Sequence, residues 1–159
     1  MRQILRQREV TPDRWRYPGE EGHGPLVHTL AELLAAAPPS LNPRDLPELG
    51  VRIGPTDELP PLQAYLPYLA LIVVQFEKNG DGRGFSQAQL LRQRYGYGGE
   101  LRASGAVKRD HLFLLARCGF DGFDFDATED PNAALACLQR FSVAYQPSSG
   151  LLVQPRQRA

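Results

Sequence analysis

Residues 70–126, ALIVVQFEKNGDGRGFSQAQLLRQRYGYGGELRASGAVKRDHLFLLARCGFDGFDFD, constrain the fold more than any other stretch. The apolar run Ala70 to Phe76 is too short for a typical helix and does not alternate, so it reads as a strand covered on both faces. A Gly-rich turn, an amphipathic stretch, a short strand ending at Ser104-Gly105, another amphipathic stretch and a third short strand follow at close spacing. Strands joined through helices over short connections imply a parallel sheet with right-handed crossovers. The expected fold is α/β, a mostly parallel sheet of about five or six strands with flanking helices. It is either an open sheet or a partial TIM-like barrel, since a full eight-fold barrel needs roughly 200 residues or more.

The rest of the chain supplies the flanks. Gln3 to Leu5 and Arg14 to Tyr17 read as short antiparallel edge strands, with Trp15 as a lid on the core edge, and PGEEGHGP reads as an exposed loop. Leu26 to His28 is a candidate strand. Thr29 and Glu32 have the spacing of a capping box, ahead of a helical face of Leu30, Leu33, Leu34 and Ala37. Residues 38–50 carry four prolines and read as a surface connection, followed by a strand at Val51 to Ile53. Leu59, Leu62, Leu66 and Leu69 mark an amphipathic helix that Pro67 ends or bends. Ser86 and Gln89 have the form of a second capping box, with Ala88, Leu91 and Tyr95 on one face and Gly96 as a stop. Gly105 turns into a helix with Val107, Leu114, Leu115 and Cys118 as its buried stripe, and Phe120 to Phe125 is the next strand. Asp130-Pro131 opens the last helix, whose inner face is Ala134, Leu138, Phe141 and Tyr145. Residues 1–147 read as a single α/β domain and 148–159 as a flexible C-terminal tail.

Composition excludes some partners. With 18 basic against 18 acidic residues the formal net charge is zero, which argues against nucleic acid as a main partner. Of the basic residues 16 are Arg, so arginine abundance by itself marks no site. Cys118 and Cys137 fall within apolar helical patterns and read as buried free thiols of a cytoplasmic protein. His23, His28 and His111 form no metal-ligand spacing with them, and two thiols are too few for an iron-sulfur cluster, so no metal site is expected. The first ten residues lack the apolar core of a signal peptide, and no apolar run approaches a membrane span. A homodimer is compatible with an open-sided sheet of this size, but the sequence does not fix the oligomeric state.

In open parallel sheets ligands bind beyond the C-terminal ends of the strands. Two segments are expected there, Lys78 to Ser86 and Ser104 to Asp110, each with glycines and a helix start that favours an anion. The expected anion-binding residues are Arg83, Gly84, Arg102, Ser104, Gly105, Lys108 and Arg109, and the expected ligand is a small oxyanion such as sulfite, sulfate or phosphate. The rival reading pairs Arg83 with Asp81, Arg109 with Asp110 and Arg102 with Asp124. Asp81 and Asp110 are the candidate acid-base residues if there is chemistry, while His111 is expected to point elsewhere on its helix. Gly80, Gly82 and Gly84 follow a strand but are spaced G-x-G-x-G, and Glu100 precedes the next strand rather than ending it. The dinucleotide fingerprint is therefore unmatched. No Walker loop occurs, and no cofactor is expected.

The string DGRGFSQAQLLRQRYGYGGELRASGAVKRDHLFLLARCGFDGFDFD resembles the signature of the bacterial domain-of-unknown-function family 934. The likeness extends to Leu49-Gly-Val51 and to the closing Phe141-Ser and Tyr145-Gln146, covering about residues 10–147. Ala106 and Lys108 depart from it, standing where an acidic and an apolar residue are expected. Members of this family are usually labelled putative oxidoreductases of sulfite reduction, their genes lying beside assimilatory sulfite reductase and phosphoadenylylsulfate reductase. The resemblance thus implies an accessory protein of assimilatory sulfate or sulfite reduction that binds a small oxyanion or docks on the sulfite reductase hemoprotein. The alternative it implies is an oxidoreductase or other enzyme acting on a small sulfated or phosphorylated substrate in sulfur metabolism.

Overall fold

The computed structural model describes residues 2–36 and 48–144, with side chains through residue 140. The expected tail at 148–159, Tyr145 and most of the proline-rich connection at 38–50 lie outside the described residues. A seven-stranded open sheet runs in the order β2-β1-β7-β6-β5-β4-β3. Its strands are β1 (Gln3–Arg6), β2 (Glu9–Pro12), β3 (Val27–Thr29), β4 (Leu49–Ile53), β5 (Leu69–Phe76), β6 (Glu100–Gly105) and β7 (Gly122–Phe123). The last five are parallel to one another, whereas β1 pairs antiparallel with both β7 and β2. The mostly parallel α/β fold is as expected, with one strand more than the upper estimate. That strand is β2: it was expected at Arg14 to Tyr17, where the chain instead makes one isolated bridge, Arg16 with Leu26.

From β3 to β7 the strand order follows the chain, so each right-handed crossover steps the same way and deposits its helix on the same face. That face is the main core. Val51, Ile53, Ile72, Val74, Phe76, Leu101, Ala103 and Phe123 meet residues of α1 (Leu30–Ala35), α2 (Gly82–Gln89), α3 (Leu112–Cys118) and α4 (Pro131–Ala144). Among the described residues the opposite face carries no helix. Trp15 and Tyr17 cover Leu71, Val73 and Val27 there. Leu71 to Val74 are all 0% exposed, so β5 is covered on both faces, each such side chain contributing about 1.5–3 kcal/mol. The order never reverses, and a crevice between helices on opposite faces, the usual ligand position of doubly wound sheets, therefore does not form.

Local signals account for the element ends. The Thr29 hydroxyl accepts from the Glu32 N–H at 3.3 Å while the Glu32 carboxylate accepts from the Thr29 N–H at 2.8 Å, the capping box expected of this spacing. Pro60–Tyr68 winds as a 3-10 helix around its prolines. α2 starts earlier than the second capping box suggests: Asp81 is the N-cap, and Ser86 donates back to the Gly82 carbonyl from inside the helix. Gly84 is the reason the early turns fit, because any Cβ there would drive into the Phe76 ring. Leu90–Arg94 then forms a π-helical turn, which brings Arg92 inward to donate to the carbonyls of Gly119, Tyr97 and Gly99 at 2.8–2.9 Å. In α3 the buried stripe is Leu112, Leu115, Ala116 and Cys118, whereas Leu114 is 47% exposed. The 3-10 turn Arg109–His111 precedes α3 and shifts its phase from that of a helix begun at Gly105.

Cys118 is buried and Cys137 partly exposed, both free. Burial pushes the Cys118 thiol up, against the weaker pull of Arg117 and a contact from the Gln89 amide. Because the thiolate is the reacting form, Cys118 is expected to react with iodoacetamide at pH 8 at least tenfold more slowly than Cys137. Peptide mapping of a time course checks this; equal rates would refute the burial argument.

Candidate functional site

The residues singled out in the sequence divide into three groups. The first is the start of α2, where Arg83 folds onto its own cap. The Asp81 carboxylate accepts from the Arg83 backbone N–H at 3.1 Å and from the guanidinium at 3.1 and 2.9 Å. Those bonds, side chain first, hold the Asp81 carboxyl below its ordinary range. Both residues line an open cleft with Asp57, Gln87 and Arg94, on the side facing the turn after β4. Gly84 packs on Phe76.

The second group is the turn after β6. Gly105 has φ +94, and a Cβ on it would overlap the Phe76 carbonyl oxygen. Only glycine lets the turn lie this close against the end of β5, where the Ala106 N–H donates to Phe76 O at 2.8 Å. The same turn meets the one after β5 through His111: a Cβ on Gly80 would stand 3.6 Å from His111 Nε2. Lys78 belongs to the turn after β5 and Lys108, Arg109 and the exposed Asp110 to the one after β6, where hydrogen bonds from Thr128 and, after them, the Lys108 charge lower the Asp126 carboxyl. Arg109 is 53% exposed and only 3.7 Å from Glu129, so that pair is loose. His111, expected to point elsewhere on its helix than Asp110, lies half-buried in the 3-10 turn beside Gly80, and its buried Nδ1 has no hydrogen-bond partner among the described residues.

The third group lies on the helix-free face. Glu100, Arg102 and Ser104 alternate onto that side of β6, and Arg102 is 1% exposed. Its guanidinium donates to Glu100 at 2.9 and 2.7 Å, to Asp13 at 3.0 Å and to the Tyr17 hydroxyl at 3.3 Å. Burial alone would depress this guanidinium, but the charges of Glu100, Tyr17 and Asp13 outweigh it and hold Arg102 firmly protonated. Arg6 lies 3.0 Å from Glu100, and Arg2 pairs with Asp13 at 3.0 Å and Glu20 at 3.1 Å. The Ser104 hydroxyl donates to Asp124 at 3.0 Å. Arg102 and Ser104 are therefore committed to internal partners, and Arg102 to ones other than Asp124. Asp13, Tyr17, Glu100 and Arg2 did not stand out in the sequence. The available signal was the placing of Glu100, Arg102 and Ser104 on one face of a central strand, where each needs a partner.

Burial raises the carboxyls of Asp124 and Asp121 above the usual aspartate range, opposed by Arg2 and Ser104 in the first case and by Arg92 and the Leu101 N–H in the second. A raised group stays protonated in the native state after the unfolded chain has released its proton, so native binds more protons and stability falls as pH rises. The window opens near the ordinary aspartate value of about 4 and closes above the raised one. Asp124→Asn is expected to flatten this slope, as measured by urea midpoints between pH 4 and 6.5; an unchanged slope would sink the assignment.

Fold and geometry together define a class: a mostly parallel α/β protein with its crossover helices on one face, an N-terminal antiparallel pair extending the sheet beyond β7, and residues 13–17 with a buried arginine network on the other face. A family model described as bacterial protein of unknown function (DUF934) matches residues 50–152, and the chain belongs to that family. No curated protein matches the chain. The matched span starts within β4, so Asp13 and Tyr17, which hold Arg102, lie outside it. Among the described residues no helix is long and apolar enough to cross a membrane.

Proposed function

We propose that this chain is a cytoplasmic accessory protein of assimilatory sulfate or sulfite reduction that binds a small oxyanion at the shared edge of the turns 77–81 and 105–111. The observation that supports this reading is the approach of His111 to Gly80, which joins the two turns whose sequences carry Lys78, Lys108 and Arg109. The sulfur chemistry comes from the sequence resemblance. The same edge is the docking surface proposed for the sulfite reductase hemoprotein. Asp81, held ionised by Arg83, suits a helix cap better than a proton donor, which favours binding over catalysis.

Thermal unfolding in sulfite, sulfate and phosphate tests the oxyanion site. Saturation at about 100 times Kd is worth about 2.7 kcal/mol, a rise of about 5–10 °C for a chain this size. The Lys108→Ala/Arg109→Ala variant should lose that rise while keeping its ligand-free midpoint, and Arg83→Ala should keep both. No oxyanion effect on the parent chain defeats the reading. A pull-down with purified sulfite reductase that retains none of the chain defeats the docking part.

A further inference from the structure

We propose that the groove between α3 and α4 receives an acidic amphipathic helix of a partner protein, an inference that does not rest on the oxyanion reading. The groove encloses about 770 Å³, and Phe113, Ala133, Ala136 and Cys137 give it an apolar wall. Ala133 and Ala136 leave open the space that larger residues on α4 would fill. Along α4 it runs from Ala133 to Arg140, two helical turns or about 10 Å. Two turns is the length over which a helix presents anchors at i, i+3, i+4 and i+7 to a groove.

Charge decides the kind of helix. Residues 112–118 and 131–144 contain Arg117 and Arg140 and no carboxylate side chain. Arg109, Asp110 and Arg140 also line the groove, Arg109 lying 3.7 Å from Glu129. Arg117 sits in the last turn of α3, where it complements the helix dipole, and Arg140 lies further back within α4. Because α3 and α4 both start from the C-terminal edge of the sheet, Arg117 and Arg140, each in the second half of its helix, lie toward the same side. Carboxylates of a partner match that side. The chain's own residues 145–159 do not, since they carry Arg156 and Arg158 and no acidic side chain.

The test uses the full chain and a fluorescein-labelled 18-residue peptide with leucines at heptad a and d positions and glutamates elsewhere. Binding by fluorescence anisotropy is expected, together with at least tenfold slower alkylation of Cys137 in the complex. Arg140→Glu and Ala136→Trp, each checked for native circular dichroism, are expected to weaken binding at least tenfold, and a lysine-for-glutamate peptide is expected not to bind. Absent binding, affinity unchanged in both variants, or an unprotected Cys137 would overturn the proposal. So would stronger groove-dependent binding to vesicles containing anionic phospholipid, which would make the occupant a membrane surface.

Discussion

Arg102→Met is expected to lower stability by about 3–5 kcal/mol, because it removes the buried guanidinium shared by two buried carboxylates and leaves Glu100 only Arg6 and Asp13 only Arg2, both more exposed. Glu100 and Asp13 are 4% and 1% exposed, so water cannot take over the role of the guanidinium. Methionine keeps most of the stem, which separates loss of charge from loss of packing. For a chain of this size the drop corresponds to about 10 °C or more in Tm. Urea titration of Arg102→Met beside Arg83→Met gives the comparison, since Arg83 pairs at the surface, 56% exposed. Equal midpoints in the two variants would show that the network is not holding the sheet. Adding Glu100→Gln and Asp13→Asn to Arg102→Met should recover part of the loss, as the buried carboxylates that have lost their buried cation are then neutral.

Gly105→Ala is expected to cost about 2–4 kcal/mol and also to abolish the oxyanion effect. The residue is held at φ +94, where an L side chain is strained by roughly 1–2 kcal/mol. Its Cβ would also overlap the Phe76 carbonyl and the Gln75 amide, so the turn must lift away from β5. Lifting it breaks the Ala106 N–H to Phe76 O bond and carries Lys108 and His111 away from Gly80. Thermal unfolding with and without sulfite reads both effects. A destabilised variant that keeps its full sulfite-induced shift would separate the turn from the site.

The parallel core was legible because its signals are local and strong. A continuous apolar run, glycine at each turn and helical spacing between strands leave few topologies. What was less legible depends on distant residues. The strand at Glu9–Pro12 alternates weakly and owes its place to β1, while Arg14 to Tyr17, with better strand composition, is used to cover the sheet's second face. Ser86 and Gln89 form a plausible cap on paper, but Asp81 captures the helix start because Gly82 and Gly84 can be helical against Phe76. Leu114 was misplaced for want of the 3-10 turn ahead of it. The surroundings of the site residues were least legible. Arg102 reaches Asp13 and Tyr17, more than eighty positions earlier, and no spacing rule links them.

The position of β1 has a consequence for how the protein is made. Leu5 pairs with Val10 in β2 and with Phe123 in β7, so β1 can form its hairpin early but meets its place in the parallel sheet only after β7 has been made. Until then Glu100 and Arg102 lack the cover of residues 13–17, and the helix-free face is bare. The parallel strands and their helices can assemble during synthesis, but the sheet is completed by capture of the β1–β2 hairpin at β7, a step whose loop-closure entropy falls late. Mutations in residues 2–17 should therefore act mainly on the unfolding rate, loosening a latch set last, whereas those in β5 and β6 should slow folding itself.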